Sequence, residues 1–114
     1  HYMNSANNNS YPPYNIIKED EDTFLIEIAA AGFKDDELEV TVDQGQLVIT
    51  GSANKADDRT FVYKGIGMRN FTRTFRLADH IEIKGAKLAN GLLTVELQRI
   101  IPEELKPRRI TIKS

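Results

Sequence analysis

Apolar residues recur at every second position in four separate short stretches of this chain, and that period constrains the fold more than any other feature. Side chains that alternate in this way belong on strands with one face buried. Phe24, Ile26 and Ile28 share a parity opposite Thr23, Glu27 and Ala29, with Leu25 breaking the rule. Leu38, Val40 and Val42 alternate with Glu37, Glu39, Thr41 and Asp43, and Phe71, Phe75 and Leu77 with Asn70, Thr72, Thr74 and Arg76. Leu93, Val95 and Leu97 share a parity within Leu92 to Gln98. Asp43-Gln44-Gly45 is a turn leading into the apolar run Leu47, Val48 and Ile49, so residues 37–51 read as a hairpin. Asn90-Gly91, a favoured two-residue turn, joins Gly85 to Ala89 with the strand after it. No stretch keeps the helical period for more than a few residues. Short strands at a spacing of roughly 8 to 12 residues predict an all-β sandwich of antiparallel sheets.

The two ends of the chain lack this pattern. Residues 1–10 hold four asparagines among small residues and are expected to be disordered, with His1-Tyr2-Met3 resembling a remnant of an engineered start. Tyr11-Pro12-Pro13-Tyr14 leads into the folded part, because the prolines hold the backbone extended. Pro102 and Pro107 bracket a connector, after which Arg108-Arg109-Ile110-Thr111-Ile112 is a short extended piece. The expected organisation is a domain over 11–100, with a long loop at 52–67, followed by an extension over 101–114.

Composition narrows the function. At 114 residues there is room for one domain, which excludes a multidomain enzyme. A formal net charge of −2 supplies no global basic field, so general nucleic-acid binding is not expected. The absence of cysteine excludes disulfides, thiolate metal sites and thiol nucleophiles, and there is no apolar run of the ~18 residues that a membrane-spanning helix needs. No secretory signal is visible. Charge is uneven along the chain: residues 1–58 carry 3 basic and 12 acidic groups, a balance of −9, and residues 59–114 carry 12 basic and 5 acidic, a balance of +7. Because the basic residues are interspersed with core positions and form no aromatic-rich stripe, the two halves are expected to meet within the fold or across a subunit contact, not on a polyanion.

Catalytic chemistry finds little material. The only histidines are His1 and His80, too few for a two-histidine metal site, and His80 reads as a solvated turn residue. Glu19-Asp20-Glu21-Asp22 lacks the glycine and ligand spacing of a calcium loop and reads as a strand connector. Lys34-Asp35-Asp36-Glu37 places carboxylates side by side, not opposed across a cleft, and Gly65-Ile66-Gly67 is too short to cradle a phosphate. The glycosylation triplets at Asn8 and Asn70 are expected to be chance matches, since no signal is visible in the sequence. An enzyme is not expected, and neither is a cofactor or a metal.

Several stretches in order resemble the α-crystallin domain of the small heat-shock proteins, and among them the bacterial class A members similar to inclusion-body-binding proteins. The resemblance spans residues 11–112. It rests on Tyr11-Pro12-Pro13-Tyr14-Asn15-Ile16, on Ala31-Gly32-Phe33 and on Tyr63-Lys64-Gly65-Ile66. It rests further on the run from Arg69 to Leu77, on Asn90-Gly91-Leu92-Leu93-Thr94-Val95, and on Ile101-Pro102 ahead of Pro107-Arg108-Arg109-Ile110. What it implies is an immunoglobulin-like sandwich that forms a homodimer and acts as an ATP-independent holdase for partly unfolded proteins in a bacterial cytoplasm.

The resemblance also implies roles for residues. The loop 52–67, with Phe61 and Tyr63 at its apolar centre, would cross to a partner and pair with its edge strand at Asn15 to Lys18, burying Ile16 and Ile17; a simple surface hairpin is the alternative. Arg73 has the parity of Phe71 and Phe75 and matches the family's arginine near the dimer contact. It would meet a carboxylate there, unless an edge position lets it reach water. Ile110 and Ile112 match the I-x-I tail motif and would enter a groove formed by Val40, Val42, Ala86 and Leu88, contributing ~3 to 5 kcal/mol before entropy losses. The alternative is a last strand packed within its own domain. Tail and unfolded client would compete for that groove. The family's hydrophobic N-terminal region has only His1 to Ser10 in its place here, so strong holdase activity and large oligomers are not expected; a dimer is, with further linkage through the tails as an extension of it. Other functions compatible with a sandwich are a p23-like co-chaperone and a hydrolase or carbohydrate-binding module, the last disfavoured by the lack of tryptophan.

Overall fold

Alternation of apolar and polar residues decides which face of each strand is buried, and the strands carry the parity just described. The structure, a computed structural model, describes residues 3–5, 11–53, 57–67 and 69–114. Its strands are β1 (Met3–Ser5), β2 (Tyr14–Lys18), β3 (Thr23–Ala29), β4 (Leu38–Asp43), β5 (Gln46–Gly51), β6 (Phe71–Leu77), β7 (Ile81–Ala89) and β8 (Leu92–Arg99). They form two antiparallel four-stranded sheets in the orders β1-β6-β5-β4 and β2-β3-β8-β7. Phe24, Ile26 and Ile28 of β3, with Leu93, Val95 and Leu97 of β8, face Leu47 and Ile49 of β5 and Phe71 and Phe75 of β6, all of them buried. Each such side chain contributes roughly 1.5–3 kcal/mol by leaving water.

Leu25, the residue that broke the pattern of β3, lies on the outer face opposite Ile17 of β2, where the two share a half-buried apolar patch. Both hairpin turns have the geometry expected of their residues. Gln44 and Gly45 have φ of 52° and 78°, and Asn90 and Gly91 of 55° and 76°, the left-handed pairs whose twist matches antiparallel strands. Gly51 is required for a different reason: a Cβ there would overlap the ring of Phe71, its neighbour across the β5–β6 ladder.

Three features depart from the sequence reading. β7 begins at Ile81, well before Gly85, and a bulge between Ile83 and Gly85 shifts its parity. Ile81 and Ile83 face inward before the bulge and Ala86 and Leu88 after it, so no single alternation runs through the strand. Disorder over residues 1–10 does not extend to Met3–Ser5, which form β1 by pairing with Phe75 to Leu77. The backbone groups of β6 on that side would otherwise lack a partner, and even a short polar strand satisfies them. The remaining residues of 1–10 lie outside the described residues. The acidic run at 19–22 is a connector, as expected, but Asp22 also binds a cation: Arg99 donates from Nε and Nη2 to its Oδ1 at 3.1 and 3.0 Å. Asp20 accepts from the backbone N–H of Asp22 at 2.9 Å, and that bond holds its carboxyl below the ordinary range.

Two segments stand outside this core. Residues 57–67 and 103–114 are exposed throughout, and the principal extents of 86 × 24 × 21 Å reflect how far the chain reaches beyond the sandwich. No helix among the described residues is long and apolar enough to cross a membrane.

Candidate interaction surfaces

The sheets end on β4 and β7, and where these edges approach each other the sandwich opens into a groove of 180 Å³. Val40, Ala86 and Leu88 line it, as the sequence reading placed them, with Leu38, Asp35, Lys87 and Leu93 added. Val42 lies further along β4 on the same inward parity, outside the lining, and is 55% exposed. Leu38 could have been named from the sequence, since it shares the parity of Val40. Leu93 could not, because it reads as an ordinary core residue and is reached only through the gap between the sheets.

On the opposite side of the sandwich, β2 is the edge of its sheet. Ile16 is exposed there and faces inward beside Ile26, whereas Ile17 is half-buried on the outer face. Arg73 closes this side from β6. It is 3% exposed, and its Nε and Nη2 donate to the carbonyl oxygen of Pro12 at 3.2 and 3.1 Å. The guanidinium also lies over the ring of Tyr14, 4.7 Å from its centroid, and Tyr14 packs edge-on against Phe75. The sequence reading expects a carboxylate partner at a subunit contact; among the described contacts of this chain the guanidinium donates to a peptide carbonyl, which the prolines bring over the end of the arginine. Arg69, four residues earlier and just before β6, covers the ring of Tyr11 at 4.1 Å.

The segment 57–67 contains no strand among its described residues, and its apolar side chains face water: Phe61 is 40% and Tyr63 85% exposed. Arg59 and Lys64 flank the Phe61 ring at 5.4 and 5.2 Å from its centroid. Arg59 also forks onto Asp57, and its hydrogen bonds hold that carboxyl down at about 2. Local polar contacts thus shape the segment while its apolar groups stay uncovered. The tail does the same more plainly. Beyond a 3-10 turn at Glu103–Leu105, Ile110 is 64% and Ile112 91% exposed. The groove and the tail motif are therefore both present, and they are separate in this chain.

Comparison with known proteins bears on these surfaces. Residues 16–113 match the model of the Hsp20/alpha crystallin family. The small heat shock protein IbpA of Yersinia pestis is 54% identical over 110 residues, covering 96% of this chain and 80% of that protein. Among solved structures, a C-terminally truncated small heat shock protein AgsA from Salmonella typhimurium superposes with a TM-score of 0.72 at 35% identity, covering 87% of this chain and 96% of that one. A small heat shock protein from Synechococcus phage S-ShM2 does so with a TM-score of 0.67 at 37% identity, covering 81% and 98%.

Proposed function

The chain belongs to the Hsp20/alpha crystallin family, and from that premise we propose how its exposed surfaces serve the family's work. Members are ATP-independent chaperones and not enzymes; they hold unfolded proteins and form oligomers. Membership sets aside the p23-like co-chaperone and the ligand-binding module.

One observation carries the division of labour. Two apolar segments, 61–66 and 110–112, stay in water beside a closed core, and each has an uncovered sheet edge of suitable kind to bury it. In our reading, the segment around Phe61 and Tyr63 crosses to the β2 edge of a second copy, over Ile16 and Ile17, and makes the dimer. Ile110 and Ile112 enter the groove beside Val40, Val42, Ala86 and Leu88, and an unfolded client uses the same groove when it is vacant. Extended apolar chains suit both edges, because backbone hydrogen bonds give affinity while alternate side chains fill the holes. The domain and extension boundaries at 11–100 and 101–114 follow from this division, and a cytoplasmic location is in keeping with the lack of cysteine.

The activity is tested by light scattering from a heat-stressed client in the absence of nucleotide. Suppression of aggregation near equal molar ratio is expected, and full aggregation at several-fold excess of the chain would overturn a holdase role for it. The dimer contact is tested separately. Phe61→Ser/Tyr63→Ser removes the apolar centre of the segment, so the dimer constant should weaken by about 100-fold in sedimentation equilibrium. Below the dimer constant, the melting of the sandwich should hardly change, because both side chains face water in the single chain. An unchanged dimer constant would remove this segment from the interface.

A further inference from the structure

We infer that the outer face of the β2-β3-β8-β7 sheet carries a second client site, a cleft over Leu25 and Gly85 that takes lysine and arginine side chains of an unfolded chain. This rests on the reading that the protein holds unfolded segments, and it sets one such contact apart from the groove.

The cleft follows from the bulge of β7. The irregularity between Ile83 and Gly85 bends the strand and brings a glycine to the outer face, directly across from Glu96. A Cβ at Gly85 would meet nothing within 4 Å, so the backbone there is bare and an incoming group can approach it closely. The space is 330 Å³, against 180 Å³ for the groove, and Glu19, Leu25, Lys87, Thr94 and Glu96 line it together with the glycine. Half-buried Leu25 supplies an apolar floor that continues onto Ile17 of β2.

Charge selects what enters. Glu96 stands between Leu25 on one neighbouring strand and Gly85 on the other, so neither residue across the ladder compensates it. Glu19 and Glu96 have no ion-pair partner among the described residues. Glu27 and Glu82 add acid to the same face, while Lys87 is a cation at the rim and Lys84 sits in the bulge. A long side chain with an apolar stem and a cationic head suits this arrangement. Its methylenes cover Leu25 and Gly85 while its ammonium or guanidinium meets the two carboxylates, so apolar surface is covered without stranding a charge. A purely apolar segment would desolvate Glu19 and Glu96 without pairing them, and an acidic one would meet like charge.

An unfolded chain, not a second copy, is the occupant. The two contacts proposed between copies use the β2 edge and the groove on the inner side of β7, and both leave the outer cleft in water. A folded partner needs a matching surface of about 800 Å² on each side, whereas this space, at the small end of ligand pockets, has room for about two long side chains. An extended chain crossing the sheet has only to offer those. Groove and cleft thereby divide a client's sequence between them, apolar side chains on one side of β7 and cations on the other.

The test uses the full chain and a short labelled peptide of lysine, leucine and serine, read by fluorescence anisotropy at low salt. Gly85→Leu fills the space where a side chain meets no neighbour, so it should leave the melting temperature within about 2 °C of the parent and weaken binding about tenfold. Glu19→Lys/Glu96→Lys should weaken it at least as much, and a peptide with glutamate in place of lysine should bind that variant and not the parent. Molar salt should weaken the parent's binding several-fold. Ile110→Ala/Ile112→Ala should change it less than twofold. Unchanged binding by both the filled and the charge-reversed chains would overturn the cleft. Binding that rises when the two isoleucines are removed would seat the peptide in the groove and overturn it equally. Binding that rises with Arg108→Glu/Arg109→Glu would make the chain's own tail the occupant, which overturns the unfolded chain in that place. Light scattering keeps the two readings apart: intact suppression of client aggregation with peptide binding unmoved by the cleft variants sinks only the cleft, and full aggregation with the parent chain sinks the holdase role on which it rests.

Discussion

Replacing Arg73 by alanine lowers the stability of the sandwich by about 3 kcal/mol, enough to take more than ~10 °C from the melting temperature of a domain of this size. Among the described contacts the loss has two sources. The Pro12 carbonyl, in a buried residue, loses the donors now at 3.2 and 3.1 Å, and an acceptor left without a partner costs about 1–3 kcal/mol. The space of the side chain stem then opens beneath Tyr14, whose ring is held between the guanidinium and Phe75. Relief of the desolvation of a buried cation acts in the other direction, and it is why the figure is not larger. Arg73→Met separates the contributions: it fills most of the volume and cannot donate, so it should recover about half of the loss. Because Pro12 leads into β2 and Tyr14 opens it, the alanine variant should also weaken the dimer contact proposed at that edge, and returning to low temperature should not restore it fully. A melting temperature within 2 °C of the parent, by calorimetry, would show that the latch is not holding the β2 side.

How much of this was legible in the sequence depends on how local the cause was. The parity of Phe24, Ile26 and Ile28, or of Leu93, Val95 and Leu97, is set within each strand by its own neighbours, and the sandwich follows from those patterns. Asn90-Gly91 and Gln44-Gly45 announce their turns because few residues tolerate positive φ. The first half of β7 was hidden, since its bulge changes which residues face inward and erases the alternation on which a strand is recognised. β1 was hidden for the opposite reason: Met3–Ser5 have no pattern of their own and are ordered by the edge of β6. The parity of Arg73 placed it correctly in the core, but a hydrogen-bond acceptor 61 positions away in a proline-rich lead-in leaves no local mark. Val40, Ala86 and Leu88 were brought together by the family resemblance, and the lining by Leu93 required knowing how far apart the sheets stand at that edge.

Ile110→Ala/Ile112→Ala has the other large effect, and on assembly where Arg73→Ala acts on stability. Both side chains are exposed in the single chain and touch no core residue of their own domain, so removing them should leave the melting of the sandwich unchanged. In the proposed tail contact they leave water. Burying two isoleucines is worth ~3 to 5 kcal/mol before the cost of ordering the tail, and a net loss of about 3 kcal/mol weakens each tail contact more than 100-fold. Chains linked through tails should then fall back to the dimer proposed for the Phe61 segment, seen as a drop in mass by light scattering on a sizing column at micromolar concentration. In the proposed reading the same variant leaves the groove vacant in the assembly. If tail and client compete, suppression of client aggregation per chain should be maintained or rise while the mass falls, since a site formerly filled by the tail becomes accessible. A fall in both would show that capture needs the larger assembly, and an unchanged mass would show that the tail does not link subunits. In the proposed reading the two isoleucines separate the assembly of the chaperone from its contact with unfolded protein, a separation the sandwich alone cannot make if tail and client share one edge.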